Sequence, residues 1–247
     1  MSPAPARTRT PKPGGIAAIL AHPDDESFGC AGALALTYDA DLETSLLLVT
    51  RGEAGTPDGE ADPDFGGTRE LEVIAAAREI GLDEVSILDG YPDGGVADES
   101  FERLVTEIAA WLEERRPTAV ITFGPHGVTG HPDHVVVGSA TRWAVERLSD
   151  HGLAPNAVYV ISPIFDPSGA AYDLSPEEQA ATHRIDITAV APRKLAALEA
   201  HASQADTVDE IAALRAAIQA GDPIYEGYTR VRPLVPQPHP VFDTRLL

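Results

Sequence analysis

Cysteine, lysine and methionine are nearly absent from this chain. Its single cysteine, Cys30, excludes an internal disulfide and fits a reducing compartment such as the cytoplasm. Only Lys12 and Lys194 supply ammonium groups. Aspartate and glutamate total 39 against 18 lysine plus arginine, for a net charge of -21. A surface of that sign repels nucleic acid and anionic membranes, so binding by phosphate neutralisation is not expected. No apolar run approaches the ~18 residues a membrane helix needs. The opening stretch, MSPAPARTRTPKPGG, has no apolar core of a secretory signal. It reads as a disordered leader over residues 1–14, with one domain from 15 to 247. No repeat of about 20–50 residues is present, which argues against a solenoid or propeller.

What the chain does have is 43% hydrophobic residues, arranged in short apolar runs that alternate with longer amphipathic ones. Strands are expected at 16–21 (IAAILA), 45–50 (SLLLVT), 85–88, 119–123 (AVITF), 157–162 and 183–187. Helices are expected at 27–38, 68–80, 101–115, 132–148, 192–201 and 208–220. Thr68 is read as the cap of the second of these and Gly81 as its stop. Fully apolar strands separated by helices imply an α/β, Rossmann-like fold, a mostly parallel sheet with helices on both faces.

Two motifs carry the chemistry. AHPDDE (21–26) directly follows the first strand, and GHPDH (130–134) follows the strand at 119–123 after a Gly/Pro-rich loop. Ligands of open α/β sheets bind at the carboxyl ends of strands, which is where both motifs fall. Three crowded acids repel one another unless a helix N-terminus or a cation offsets them. His131 and His134 are three residues apart, which brings both imidazoles to one side of a helical turn. If the two strands are neighbours, His22, Asp25, His131 and His134 converge. Two histidines and one carboxylate leave coordination positions open, as in catalytic zinc sites. The same donors also serve iron(II) oxygenases. The spare carboxylate, Asp24, favours a hydrolytic zinc site. A non-catalytic sugar-binding protein with a vestigial site is the third reading.

These motifs resemble those of the LmbE-like (PIG-L) N-acetylglucosamine deacetylases, which include mycothiol- and bacillithiol-pathway enzymes. Matching segments are AHPDDE, GCAG (29–32), TRGEAG (50–55), TRELE (68–72), GYPDGG (90–95), GPHGVTGHPDH (124–134) and KLAALEAHASQ (194–204). The resemblance implies that His22, Asp25 and His134 bind Zn2+, that Asp24 is the general base, and that His131 stabilises the oxyanion or acts as an acid. It implies that Asp93 contacts or orients the site and that Arg69 faces the polar end of a substrate. The substrate implied is a small N-acetylated sugar, with an amidase acting on a larger thiol or sugar conjugate as the alternative, and a homo-oligomer is compatible with the pattern. One position departs: some members carry Tyr immediately before GHPDH, assisting the carbonyl, where this chain has Thr129.

Other residues admit two readings each. Glu26 is a helix cap or a support for a zinc-binding histidine. His126 is a rim residue or a ligand, and Cys30 a packing residue or, at a poor spacing, a metal candidate. His201, with Gln204, is a helix-end cap or part of the matched segment. Arg51 and Glu53 contact sugar hydroxyls or pair with each other. Residues 52–67 are a mobile covering loop or a solvated connection. Tyr225 and Tyr228 wall the pocket or pack in the core.

Overall fold

The computed structural model describes residues 12–56, 62, 64–164, 174–179, 181–204 and 207–233. Among the described residues seven strands form one sheet: β1 (Lys12–Leu20), β2 (Leu42–Leu48), β3 (Glu84–Ile87), β4 (Ala119–Thr122), β5 (Ala157–Ile161), β6 (His183–Asp186) and β7 (Tyr225–Pro233). Their spatial order is β3-β2-β1-β4-β5-β7-β6. The first five run parallel, and β7 lies antiparallel between β5 and β6. The helices are α1 (Asp25–Gly29), α2 (Ala31–Asp39), α3 (Phe65–Ile80), α4 (Phe101–Arg115), α5 (Pro132–Ser149), α6 (Pro176–Gln179), α7 (Ala191–Ala200) and α8 (Thr207–Ala220). α2, α3 and α7 pack on one another as one layer, and α4 packs on α5 as another.

The burial explains the apolar runs. Ile16 to Ala21 and Leu46 to Val49 are at most 1% exposed, as central parallel strands covered on both faces require. α3 closes on Gly81 at φ 91, and α4 opens on Ser100, whose hydroxyl accepts the Arg103 N–H. Because β2 leads away from β1 on one side and β4 lies on the other, the chain reverses direction across the sheet between β1 and β4. That switch point, at the strands' carboxyl ends, is where such sheets leave a crevice.

Several boundaries differ from expectation. β1 starts at Lys12, so the last three residues assigned to a leader belong to the sheet. Residues 1–11, the C-terminal tail from 234 and part of the 52–67 loop lie outside the described residues. α3 starts at Phe65, which puts Thr68 inside the helix rather than at its cap. The single helix expected at 27–38 is two, broken at Cys30 (φ -152). β7 was not expected as a strand, because charged residues interrupt its apolar pattern. One of those charges, Glu226, is buried: its carboxylate accepts the Gly32 and Ala33 N–H groups at 2.9 Å each, and Lys194 donates to it at 3.0 Å. Tyr228 is a core residue whose hydroxyl donates toward Glu226 and Gly29.

Candidate metal centre and active site

The β1–β4 register pairs Ile16 with Ala119 and Ala18 with Ile121, so the two motifs leave the sheet side by side. After β1 the chain turns at Pro23 and places Asp24 at φ 122, a value a residue with a Cβ rarely adopts. Such a conformation costs on the order of 1–3 kcal/mol and persists only where surroundings enforce it. The Asp24 carbonyl accepts the Ser27 and Phe28 N–H groups, which starts α1. The Asp25 side chain folds back: its Oδ2 accepts the His22 N–H at 2.7 Å and the Ala21 N–H at 3.2 Å. Its Oδ1 is left 3.2 Å from His134 Nε2.

The second motif is built differently. His131 is the N-cap of α5: its Nδ1 accepts the Asp133 N–H at 3.2 Å, and Pro132 occupies the first helical turn. His134, one turn in, stacks on Phe123 with ring centroids 4.0 Å apart. Its Nδ1 donates to the Gly127 carbonyl at 3.0 Å. Gly127 has φ +64, and a Cβ there would stand 2.6 Å from His134 Cβ, so only glycine allows this approach. Buried Glu178, on α6, holds the same loop by accepting the His126 and Val128 N–H groups.

His22 completes the set. Its Nε2 donates to Asp93 Oδ1 at 3.0 Å and to Asp133 Oδ2 at 3.2 Å. Its Nδ1 faces His134 Nε2 at 3.2 Å and Asp25 Oδ2 at 3.6 Å. Both histidines thus spend their outer nitrogens on acceptors; in the neutral rings that a cation would require, the inner nitrogens are lone pairs pointed at each other and at a carboxylate. A tetrahedral zinc with arms of about 2.0–2.2 Å has edges of about 3.3–3.6 Å, close to the spacing of these donors. The donor chemistry and the spacing both fit a divalent cation. Outer hydrogen bonds from ligating histidines to carboxylate or carbonyl are the usual support of such a site. His131 also lies within reach, its donor atom within 4.8 Å of those of His22 and His134.

Charge tells the same story. Burial works against a charge on His22, yet its bonds to Asp133 and Asp93 and the field of Asp25 raise its pKa to about 10. Burial likewise opposes the Asp25 carboxylate, but His134 and His22 hold it well below the usual range. The cluster calls for positive charge at its centre. Asp24 stands apart: burial and then the charge of Asp25 push its carboxyl up to about 8, against the pull of Arg69. His131 is lowered by burial and by the other two imidazoles. Because its Nδ1 accepts a backbone N–H, the neutral ring carries its proton on Nε2.

A cavity of about 510 Å³ opens over these groups, walled by Phe28, Phe123, Val128 and Ile161 and reaching Gln204. The structure therefore brings His22, Asp24, Asp25, Asp93, His131 and His134 together. Arg69, expected to face a substrate, and Thr129 both line this cavity. Arg69 is 3% exposed, and its guanidinium donates to Asp24 Oδ2 at 2.7 Å and to the Pro23 carbonyl. The Thr129 hydroxyl sits 3.4 Å from His134 Nδ1, on the outer side of that ring, away from the inner nitrogen. Arg51 pairs with Glu70 and Asp89, not with Glu53. Three supports were missed. Asp133 had a signal, an acid in the first turn between two histidines. Phe123 and Glu178 had none, since only packing reveals them.

The model of the family described as PIG-L, GlcNAc-PI de-N-acetylase, matches residues 17–145. The chain is 30% identical to the 1D-myo-inositol 2-acetamido-2-deoxy-α-D-glucopyranoside deacetylase of Mycobacteroides abscessus, over 78% of this chain and 82% of that protein. It is also 30% identical to the probable N-acetyl-α-D-glucosaminyl L-malate deacetylase 2 of Bacillus subtilis, over 77% and 83%. Among solved structures, the 4-carboxy-2-hydroxymuconate hydratase of Pseudomonas putida superposes with a TM-score of 0.68 at 21% identity, covering 91% of this chain and 99% of that one. The last likeness concerns the fold alone.

Proposed function

The chain belongs to the PIG-L (LmbE-like) family, and from that premise we propose a zinc-dependent N-deacetylase in which His22, Asp25 and His134 hold the metal and Asp24 is the base. Its relatives are N-acetylglucosaminyl deacetylases, and the enzyme is a hydrolase of amides. The observation that carries the reading is the meeting of His22 Nδ1 and His134 Nε2 3.2 Å apart, each with an Asp25 oxygen at 3.2–3.6 Å, beside the Asp24 carboxylate that Arg69 holds.

The cation, when bound, supplies a Lewis acid and brings water's pKa from 15.7 to about 7. Asp24 accepts a proton from the attacking water, its carboxylate aimed by Arg69. The His131 Nε2–H donates to the oxyanion that forms from the acetamide carbonyl. A donor so placed contributes roughly 100- to 1000-fold. Asp24 returns its proton to the nitrogen, because an amide nitrogen cannot depart as an anion. Acetate and a free amine result. Phe28, Val128 and Ile161 exclude water from one side of the cavity. We place the enzyme in the cytoplasm, acting on a small N-acetylated sugar. The lone, buried cysteine fits that compartment.

The test is metal analysis of the purified protein together with acetate release from N-acetylglucosaminides bearing inositol, malate or a second sugar. Roughly one zinc per chain and acetate release abolished by chelation are expected. A protein that refuses zinc would overturn the metal assignment. A zinc-loaded protein that releases no acetate but hydrates an unsaturated acid would move it to the chemistry of its hydratase neighbour.

A further inference from the structure

Glu26 and His201 take no part in the chemistry above, yet each is 0% exposed and they are bonded to each other, His201 Nε2 donating to Glu26 Oε1 at 2.8 Å. Glu26 lies on α1, and His201 closes the C-terminus of α7. The Ser27 hydroxyl donates to the same Oε1 at 2.6 Å. The other oxygen, Oε2, accepts the backbone N–H of Asp24 at 3.1 Å. Asp24 is the residue held at φ 122.

A purely structural role for the pair would be to fasten α7 to α1. That fastening exists without it: Lys194, also on α7, donates to the Phe28 carbonyl at 2.6 Å and to Glu226, whose carboxylate caps α2. His201 is moreover held at one end only. Its Nδ1 is buried and has no hydrogen-bond partner among the described residues. An imidazole placed for its own satisfaction would engage both nitrogens. This one is placed for Glu26.

We propose that Glu26 and His201 are positioning residues for the base: His201 fixes the Glu26 carboxylate, and Glu26 holds the Asp24 amide in a conformation the backbone otherwise avoids. Arg69 holds Asp24 from the opposite end, by its carboxylate. The base is thus clamped at amide and side chain, from α7 and from α3. The inference rests on Asp24 being the base.

The experiment uses the full, zinc-loaded chain and whichever glucosaminide releases acetate fastest. His201→Leu removes the donor to Glu26, and His201→Gln keeps an N–H that can reach it. For His201→Leu we expect kcat to fall about 10- to 100-fold, the range a displaced catalytic group produces, with KM and zinc content unchanged. His201→Gln should recover most of that loss. Glu26→Gln, which puts an amide N–H against one of its donors, should also lower kcat at constant KM. It carries the test if His201→Leu does not fold. Crystals of the variants supply a readout apart from activity: Asp24 should leave the positive-φ region in His201→Leu and keep it in His201→Gln. The proposal is overturned if kcat of His201→Leu and Glu26→Gln stays within about twofold of the parent, if the loss follows zinc content, or if Gln at 201 rescues nothing. Asp24→Asn, run in parallel, separates the two readings. An active Asp24→Asn removes the base assignment itself. An inactive Asp24→Asn beside a fully active His201→Leu removes only the clamp.

Discussion

The chain uses the tripeptide His-Pro-Asp twice, at two strand-to-helix junctions that face each other, and gives the same residues opposite work. After β1, the histidine (His22) turns its inner nitrogen to the site, and the aspartate (Asp24) lies beside the donor set, its carboxylate paired with Arg69. After β4, the histidine (His131) caps its helix, while the aspartate (Asp133) is buried and braces His22. The residue that follows each tripeptide, Asp25 or His134, completes the donor set. The difference lies in the backbone. The first junction passes through a strained residue and folds a carboxylate back on its own amides. The second enters a long helix by an ordinary cap. Role follows the direction in which the backbone delivers each side chain, not the motif.

The sharpest way to break this comparison is to remove the charge at Asp24. Asp24→Asn should lower kcat by about 1000-fold or more with zinc retained, the loss expected when a general base is removed. Steady-state kinetics and metal content check both halves, and near-normal turnover would end the distinction. Next in size, His131→Ala should cost about 100-fold in kcat, with little change in zinc affinity, because its Nε2–H serves the oxyanion. A loss of zinc instead would make it a ligand. Asp133→Asn should weaken zinc binding by about 10- to 100-fold, seen by competition with a chelator, since a brace rather than a ligand is weakened. The smallest effect is a displacement. Burial, then Asp25, raises the Asp24 carboxyl, and Arg69 opposes them. Removing that opposition in Arg69→Met raises the pKa further. Because the deprotonated base is the active form, the acid limb of kcat should move to higher pH. A shift toward lower pH would show that Arg69 does not govern Asp24.

Much of this was legible in the sequence for physical reasons. Strands buried on both faces must be apolar throughout, so β1, β2 and β4 announced themselves. The pair of His-Pro-Asp turns pointed to a cation because so many acids beside so many imidazoles need one. β7 was hidden because its stabilising contacts are polar and buried: Glu226 answers helix N–H groups far away in sequence, which no local pattern encodes. The family resemblance read Arg69 as facing a substrate, and it does line the cavity. Its buried pairing with Asp24 was not legible, because it is set by how α3 lies over the β1 turn. Likewise, nothing near Glu26 announces His201.

The donors at 22 and 25 meet the one at 134 only through the pairing of β1 with β4, a long-range contact. Before that pairing the growing polypeptide owns two half-sites, neither able to retain an ion. Occupancy would therefore report completed assembly of the parallel sheet, and a bound cation would act as a late rivet between early and middle portions of the polypeptide. Stripping it should loosen the whole sheet cooperatively, not one surface turn.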